Sequence, residues 1–235
     1  MSTTRATGAD RRAPLVLAFD TAGSACSVAA GRDGSVLAHE RIAMRHGHAE
    51  ALLPMIERVM QGAGCTPTDI ATVAVSVGPG GFTGIRAGLA AAHGLALARG
   101  ARLAGVTSFA AVAALVPPGD GAILVALDSR RADLYVQLFD GLGRPTGEPA
   151  AVLPEDLAGF AGGRALRIAG DAAEAALAAL AGSGEVSVIA GSAPDALGVL
   201  AAARAADGDP EARALYLRPP DVSFPKPRPG AGPRR

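Results

Sequence analysis

Apolar and polar residues alternate along most of this chain in short runs divided by turn signals. Leu15–Asp20, Ala25–Gly31 and Ser35–Ile42 read as three strands, broken at Thr21–Ser24 and at a hairpin turn carrying Asp33-Gly34. Ala49, Leu52, Leu53, Ile56, Val59 and Met60 then recur at helical spacing, with Pro54 inside the run predicting a late start or a kink. Val73–Val77 reads as a buried strand, Thr83–Ala98 as a helix of small residues and Leu103–Val106 as a strand. A helix at Ser108–Val116 is closed by Pro117, Pro118 and Gly119.

The pattern then restarts. Ile123–Leu127 ends in Asp128-Ser129 as Leu15–Phe19 ends in Asp20-Thr21, and the β-type run Leu134–Phe139 follows as Ala25–Gly31 did. A helix near Pro154–Phe160, a strand at Leu166–Ala169, a helix at Ala172–Leu180, a strand at Val186–Ile189 and a helix at Pro194–Ala206 complete the second half. Such a restart predicts an α/β protein of two similar lobes, 14–117 and 118–218, around a cleft. Residues 1–13 read as a disordered leader, and 219–235, rich in proline and basic residues, as a flexible tail.

Composition narrows the partners. With 22 basic and 22 acidic residues no global field draws the chain to nucleic acid or membrane. An aromatic content of 3% without tryptophan argues against a single-strand binder built on stacking. Cys26 and Cys65 make no disulfide framework, and no apolar run reaches the length of a membrane span. The leader lacks the hydrophobic stretch of a signal peptide, so a soluble cytoplasmic protein is expected.

The chemistry-bearing candidate is the run from Ser76 to Gly84, where a strand ends in glycines and opens into a helix. Glycines admit a ligand close to the backbone, and free amides at a helix start attract anions. The run is not a Walker loop, because the chain's one lysine is Lys226, and Thr83 stands where a dinucleotide fingerprint needs glycine. Gly78, Pro79, Gly80, Gly81, Thr83 and Gly84, with Asp20 and Thr21, therefore form a degenerate nucleotide or phosphate loop, or a tight turn whose glycines serve backbone geometry alone. Thr83 is the expected N-cap. Asp20 and Asp128 are placed either to hold a hydrated divalent cation beneath phosphates or to form turns.

His46 and His48 stand two apart, which points helical side chains in different directions, so no metal site is expected. The chain has no Gly-x-Ser-x-Gly elbow. Cys26 reads as core, and Arg130, Arg131 and Asp133 as a solvated hairpin. The second-half counterpart of the glycine run is only Ala169-Gly170-Asp171, which makes catalysis by this chain alone doubtful.

Six segments in order resemble one family: Leu17–Val28, His48–Pro54, Ser76–Arg86, Gly105–Ser108, Leu127–Arg131 and Tyr216–Pro219. Together they are similar to the TsaB (YeaZ) family of bacterial tRNA threonylcarbamoyladenosine biosynthesis proteins. The resemblance covers roughly residues 14–220. It implies an actin-like (ASKHA) fold, a duplicated ribonuclease H-like core in two lobes. It also implies a non-catalytic paralogue of TsaD, lacking that subunit's metal site, which pairs with TsaD. With the ATPase TsaE, the pair supports transfer of a threonylcarbamoyl group to the adenosine beside the anticodon of tRNA.

The implied partner contact is made by the helices at about His48–Met60 and Thr83–Ala98. Its residues would be His48, Leu52, Met55, Ile56, Arg86, Ala87, Gly88, Ala91 and Leu95, the small ones permitting close helix approach. The same residues would equally serve to pack on the sheet. The resemblance further implies no catalytic residue, no metal and no cofactor required by this chain, with ATP or ADP left open for the assembled complex. A homodimer through the same helices is expected without TsaD, and tRNA is met through the complex. Gly81 stands where the resemblance would place serine. The alternative from another class is an autonomous actin-like nucleotide-binding phosphotransferase.

Overall fold

The computed structural model describes residues 13–190, 193–205 and 211–218, so the expected leader (but for Ala13) and the expected tail lie outside the described residues. The first half runs β1 (Leu15–Asp20), β2 (Ala25–Arg32), β3 (Ser35–Ala43), α1 (His48–Gly62), β4 (Ile70–Gly78), α2 (Phe82–Arg99), β5 (Arg102–Thr107) and α3 (Ser108–Ala113). The second half runs β6 (Ala122–Asp128), β7 (Leu134–Phe139), β8 (Ala150–Val152), α4 (Leu157–Ala161), β9 (Leu166–Ala169), α5 (Ala173–Ala179), β10 (Val186–Ala190) and α6 (Ala196–Ala205).

Each half builds one five-stranded sheet, in the orders β3-β2-β1-β4-β5 and β8-β7-β6-β9-β10. In both, the first strand is central, with an antiparallel hairpin on one side and two parallel strands on the other. The two sheets are one topology used twice, which is the actin-like arrangement. The Asp33-Gly34 turn has positive φ at both residues, as a two-residue primed hairpin turn requires.

Strand alternation sends two kinds of side chain to the two faces of the first sheet. Leu15, Leu17, Phe19, Val73 and Val75 meet α1 and α2 in one core. Ala18, Ala29, Ala74 and Ala104 meet α6 in another, where small side chains leave room for the helix. Helix α6, although it belongs to the second half, thus lies on the first sheet. Phe109 and Val112 of α3 pack on Ile123, Val125 and Phe139 of the second.

Helix α1 starts at His48 and continues through Pro54, so the late start is not found. Its inward stripe is Leu52, Met55, Ile56, Val59 and Met60, while Leu53, expected inside, is 53% exposed. A helix turns 100° per residue, so Leu52 and Leu53 cannot both lead the same narrow stripe, and Met55 fills the place instead. Helix α2 buries Gly84, Ile85, Gly88, Ala92 and Ala96 at mostly four-residue steps.

Candidate functional site

The glycine run sits at the C-terminal end of β4, where the first sheet faces the second lobe. Gly78 has φ +101°, a conformation open to glycine at little cost. The Gly81 amide donates to the Ala22 carbonyl at 2.7 Å, and the Thr21 hydroxyl donates to the Gly84 carbonyl at 2.8 Å. A Cβ at Gly80 would lie 2.3 Å from the Ala22 oxygen, one at Gly84 2.0 Å from the Thr21 oxygen, and one at Gly88 2.4 Å from the Thr21 hydroxyl. Gly80, Gly84 and Gly88 thus form a groove into which the β1–β2 turn presses. These three glycines have a packing reason independent of any ligand. The N-cap of α2 is Gly81, with no side-chain capping bond. Thr83, expected there, is exposed inside the first turn because the helix begins at Phe82.

A cavity of about 260 Å³ lies between the lobes, bounded by Ala22–Ser24, Pro79–Gly81 and Pro194 on one side and by Leu127–Arg130, Tyr135 and Asp171 on the other. That is below the roughly 300–1,000 Å³ of small-molecule sites in general. Arg130 is the one base in this lining, and Asp128 and Asp171 oppose it. Asp171, an exposed residue, accepts the Asp128 amide at 2.9 Å; partial desolvation of its carboxyl and then the Asp128 charge push it above the usual range, against the pull of that amide.

The two strand-end aspartates are not equivalent. Asp20 is fully buried beneath the β1–β2 turn; Oδ1 accepts the Ala22 amide at 3.3 Å and Oδ2 has no partner. Burial pushes its carboxyl up, against the weaker pull of the nearby Ser76 hydroxyl, which makes no formed hydrogen bond, and of the Ala22 and Gly23 amides. Asp128 is exposed at the cavity rim and accepts the Arg130 amide at 2.7 Å. Among the described residues, no group of three or more histidines, cysteines or acids is placed to hold a metal ion. Cys26 is buried in β2, its thiol pushed up to about 11, chiefly by burial.

Arg130 crosses the cleft, its guanidinium donating to the Gly23 carbonyl at 3.4 Å. Beside Gly23 stands His48, the first residue of α1, half-buried with Nε2 unpartnered. Burial and then the Arg130 charge hold its imidazole below the usual range. His46 is exposed.

The expected interface residues divide. Leu52, Met55, Ile56 and Gly88 face the interior; Ala87, Ala91 and Leu95 are half-buried; Arg86 is exposed. What α1 and α2 offer outward includes Leu53, Ala90, Gly94 and Leu97, the last 86% exposed, beside the charged or polar Glu50, Glu57, Arg58, Arg86 and His93. At the start of α2 the Arg86 guanidinium lies 3.6 Å over the Phe82 ring, and Phe82 packs on Tyr216 with centroids 5.1 Å apart.

The solvated hairpin expected at Arg130–Asp133 is corrected at its last residue. Asp133 is 2% exposed and pairs with Arg218, a partner 85 positions away that no local pattern signals.

A family model described as TsaD, tRNA N6-adenosine threonylcarbamoyltransferase, matches residues 36–190. The chain is 39% identical over 122 residues to the tRNA threonylcarbamoyladenosine biosynthesis protein TsaB of Escherichia coli, covering 51% of this chain and 52% of that one. The matched stretch therefore spans about half the length of that relative. Identity to an uncharacterized protein of Mycobacterium tuberculosis is 37% over 212 residues, 88% of this chain and 93% of that one. Among solved structures, YeaZ from Pseudomonas aeruginosa matches with a TM-score of 0.72 at 26% identity over 86% of this chain and 99% of that one. The ROK hexokinase of Thermus thermophilus, at TM-score 0.50 and 16% identity over 81% of this chain and 97% of that one, shares the fold alone.

Proposed function

This chain belongs to the TsaB (YeaZ) family, and on that premise we propose that it is a non-catalytic scaffold subunit in tRNA threonylcarbamoyladenosine formation. In this reading it pairs with TsaD in the cytoplasm. With the ATPase TsaE, the pair supports transfer of threonylcarbamoyl to the adenosine beside the anticodon. The chain itself requires no cofactor and meets tRNA through the complex.

The observation that carries the reading is the outward face of α1 and α2. Leu53 and Leu97 project from it, while Ala90 and Gly94 leave low ground on which another helix can lie. Leu97 at 86% exposure loses favourable burial in water and regains it under a partner. The cleft supports the non-catalytic part, since its cavity is small and two carboxylates line it opposite a single guanidinium.

The test is a binding titration of the full chain against TsaD. Replacing Leu53→Glu together with Leu97→Glu is expected to weaken pairing at least about tenfold, near 1.4 kcal/mol, with an unchanged melting temperature. Unchanged pairing would remove this face from the interface. ATP turnover by the isolated chain would overturn the scaffold reading in favour of an autonomous phosphotransferase.

A further inference from the structure

We infer that the segment following α6, Glu211–Arg218, is the positioning element of the interlobe cleft: Arg218, acting through Asp133 and Ser129, sets the loop that carries Arg130 across to the first lobe. The inference stands on contacts within this chain and holds whether or not it pairs with TsaD.

The segment is fitted along its length. A Cβ at Gly105 of β5 would meet the Ala212 Cα at 2.8 Å, and one at Gly78 of β4 would meet the Leu215 carbonyl at 2.9 Å. Two glycines on neighbouring parallel strands, one inside β5 and one at the end of β4, thus leave the space through which the backbone passes. The Leu215 amide donates to the Val77 carbonyl at 2.8 Å, joining the segment to the strand that opens into the glycine run. Tyr216 packs on Phe82, and its hydroxyl accepts from Arg86 Nε at 3.4 Å. Leu217 then leaves the first lobe and packs against the core formed by Phe109, Val112 and the second sheet. Arg218 ends the crossing on Asp133.

From Asp133 the chain of bonds leads back to the cleft. Its carboxylate is buried, and Arg218 supplies the charge that a buried carboxylate needs. The Ser129 hydroxyl is shared between the Asp133 carbonyl at 2.5 Å and the same carboxylate at 2.8 Å, and accepts the Arg131 amide at 3.2 Å. Arg130 sits between these anchored neighbours with φ +60°, a left-handed conformation that costs a non-glycine residue energy unless its surroundings impose it. Its amide donates to Asp128 while its guanidinium reaches Gly23. Without Arg218, Asp133 loses its counter-charge and its carboxylate is free to turn from Ser129 toward water; the Ser129 anchor is left with the Asp133 carbonyl alone, and the strained residue is free to relax. The single base of the cavity then leaves its place over the first lobe.

A tether that merely holds the lobes together would leave the cleft loop unchanged. His48 distinguishes the two roles because it senses Arg130. The groups that act on its imidazole are Arg130 and His46, with the backbone of Gly23 and Ala25. The experiment is an NMR titration of His48 in the full chain, alongside hydrogen exchange at the Arg130 and Arg131 amides, in Arg130→Ala, Arg218→Ala and Arg218→Lys. Arg130→Ala is expected to raise the His48 pKa, and Arg218→Ala to reproduce most of that rise. The same variant should exchange the two amides about tenfold faster by local opening, and Arg218→Lys should restore both readings toward wild type. A wild-type His48 titration in a folded but less stable Arg218→Ala protein would leave only a tether and overturn the inference. Should that variant not fold, Asp133→Asn keeps the side-chain size and an acceptor for Ser129 while removing the charge. The same upward shift of His48 there supports the inference, and an unshifted His48 overturns it.

Discussion

The two lobes share one strand topology but differ in the helices laid upon it. In the first, α1 and α2 are 15 and 18 residues long; their counterparts in the second, α4 and α5, are 5 and 7. The strand-to-helix junctions nevertheless obey the same rule. A Cβ at Gly84 would lie 2.0 Å from the Thr21 oxygen, and one at Gly170 would lie 2.0 Å from the Ala126 oxygen. The Gly81 amide donates to the Ala22 carbonyl, and the Ala172 amide to the Ala126 carbonyl. The first contact is with the turn after β1 and the second with β6 itself, so what both lobes share is a glycine beyond the next parallel strand pressed on the backbone of the central strand or its turn. What the second lobe lacks is helical surface. Glycines at these junctions thus belong to the fold in both lobes, and the surface that distinguishes the first lobe is the outward face of its long helices.

Substitutions at the shared junctions should have the largest effects. Gly84→Ala and Gly170→Ala each force backbone apart, and Gly170 at φ +113° adds conformational strain. Each is expected to cost about 3 kcal/mol or more, with Gly170→Ala the worse, measured as a fall in the urea midpoint at constant slope. A neutral Gly170→Ala would break the correspondence between the lobes.

An intermediate effect is expected at the carboxylates of Asp20, under the β1–β2 turn, and Asp171, at the cleft, one from each lobe. Asp20 and Asp171 have folded pKa values above their unfolded ones, so the folded chain binds their protons more tightly. Their contribution to stability is therefore greatest at low pH and falls as pH rises from the unfolded value, about 3.9, through the folded one. Asp20→Asn should raise the melting temperature by about 2–4 °C at pH 7, the scale of 1 kcal/mol in a chain of this size, and give no gain near pH 3. Asp171→Asn should change stability little, because the residue is exposed, solvent screens its charge and it keeps the Asp128 amide as donor. An equal gain at both pH values would show that the charge is not the cause.

The smallest effect is expected on the outer side of α2. Gly94 is exposed with no atom within 4 Å of a would-be Cβ, so Gly94→Ala should stabilise by about 0.5–1 kcal/mol through helix propensity. The contrast with Gly84, ten positions earlier in the same helix, separates a glycine required by packing from one that is not. A destabilised Gly94→Ala chain would mean that this face is already covered.

Much of the architecture was legible in the sequence because it follows from local pattern. The strands before Asp20 and Asp128 and the restart at Ile123 are all found in the structure. Strand β8 was missed: Ala150–Val152 is too short and too alanine-rich to signal a strand, and it exists through its pairing with β7. Leu53 faces outward where periodicity places it inside, because an apolar residue beside a helical stripe fits the stripe until neighbours choose the phase. The site was less legible than the fold. Asp20 and Asp128 look alike in sequence, yet one is sealed under a turn and the other stands on a rim.

By itself the sequence determined the α/β class, the duplication and the family resemblance, because period, turn residues and motif order are properties of neighbouring positions. Only the tertiary structure decided that α6 returns to the first sheet and that Gly80, Gly84 and Gly88 receive the β1–β2 turn. It alone paired Arg218 with Asp133 and turned Leu53 and Leu97 outward. Those outcomes depend on which distant atoms compete for the same space and the same charge, and short-range spacing carries no record of that competition.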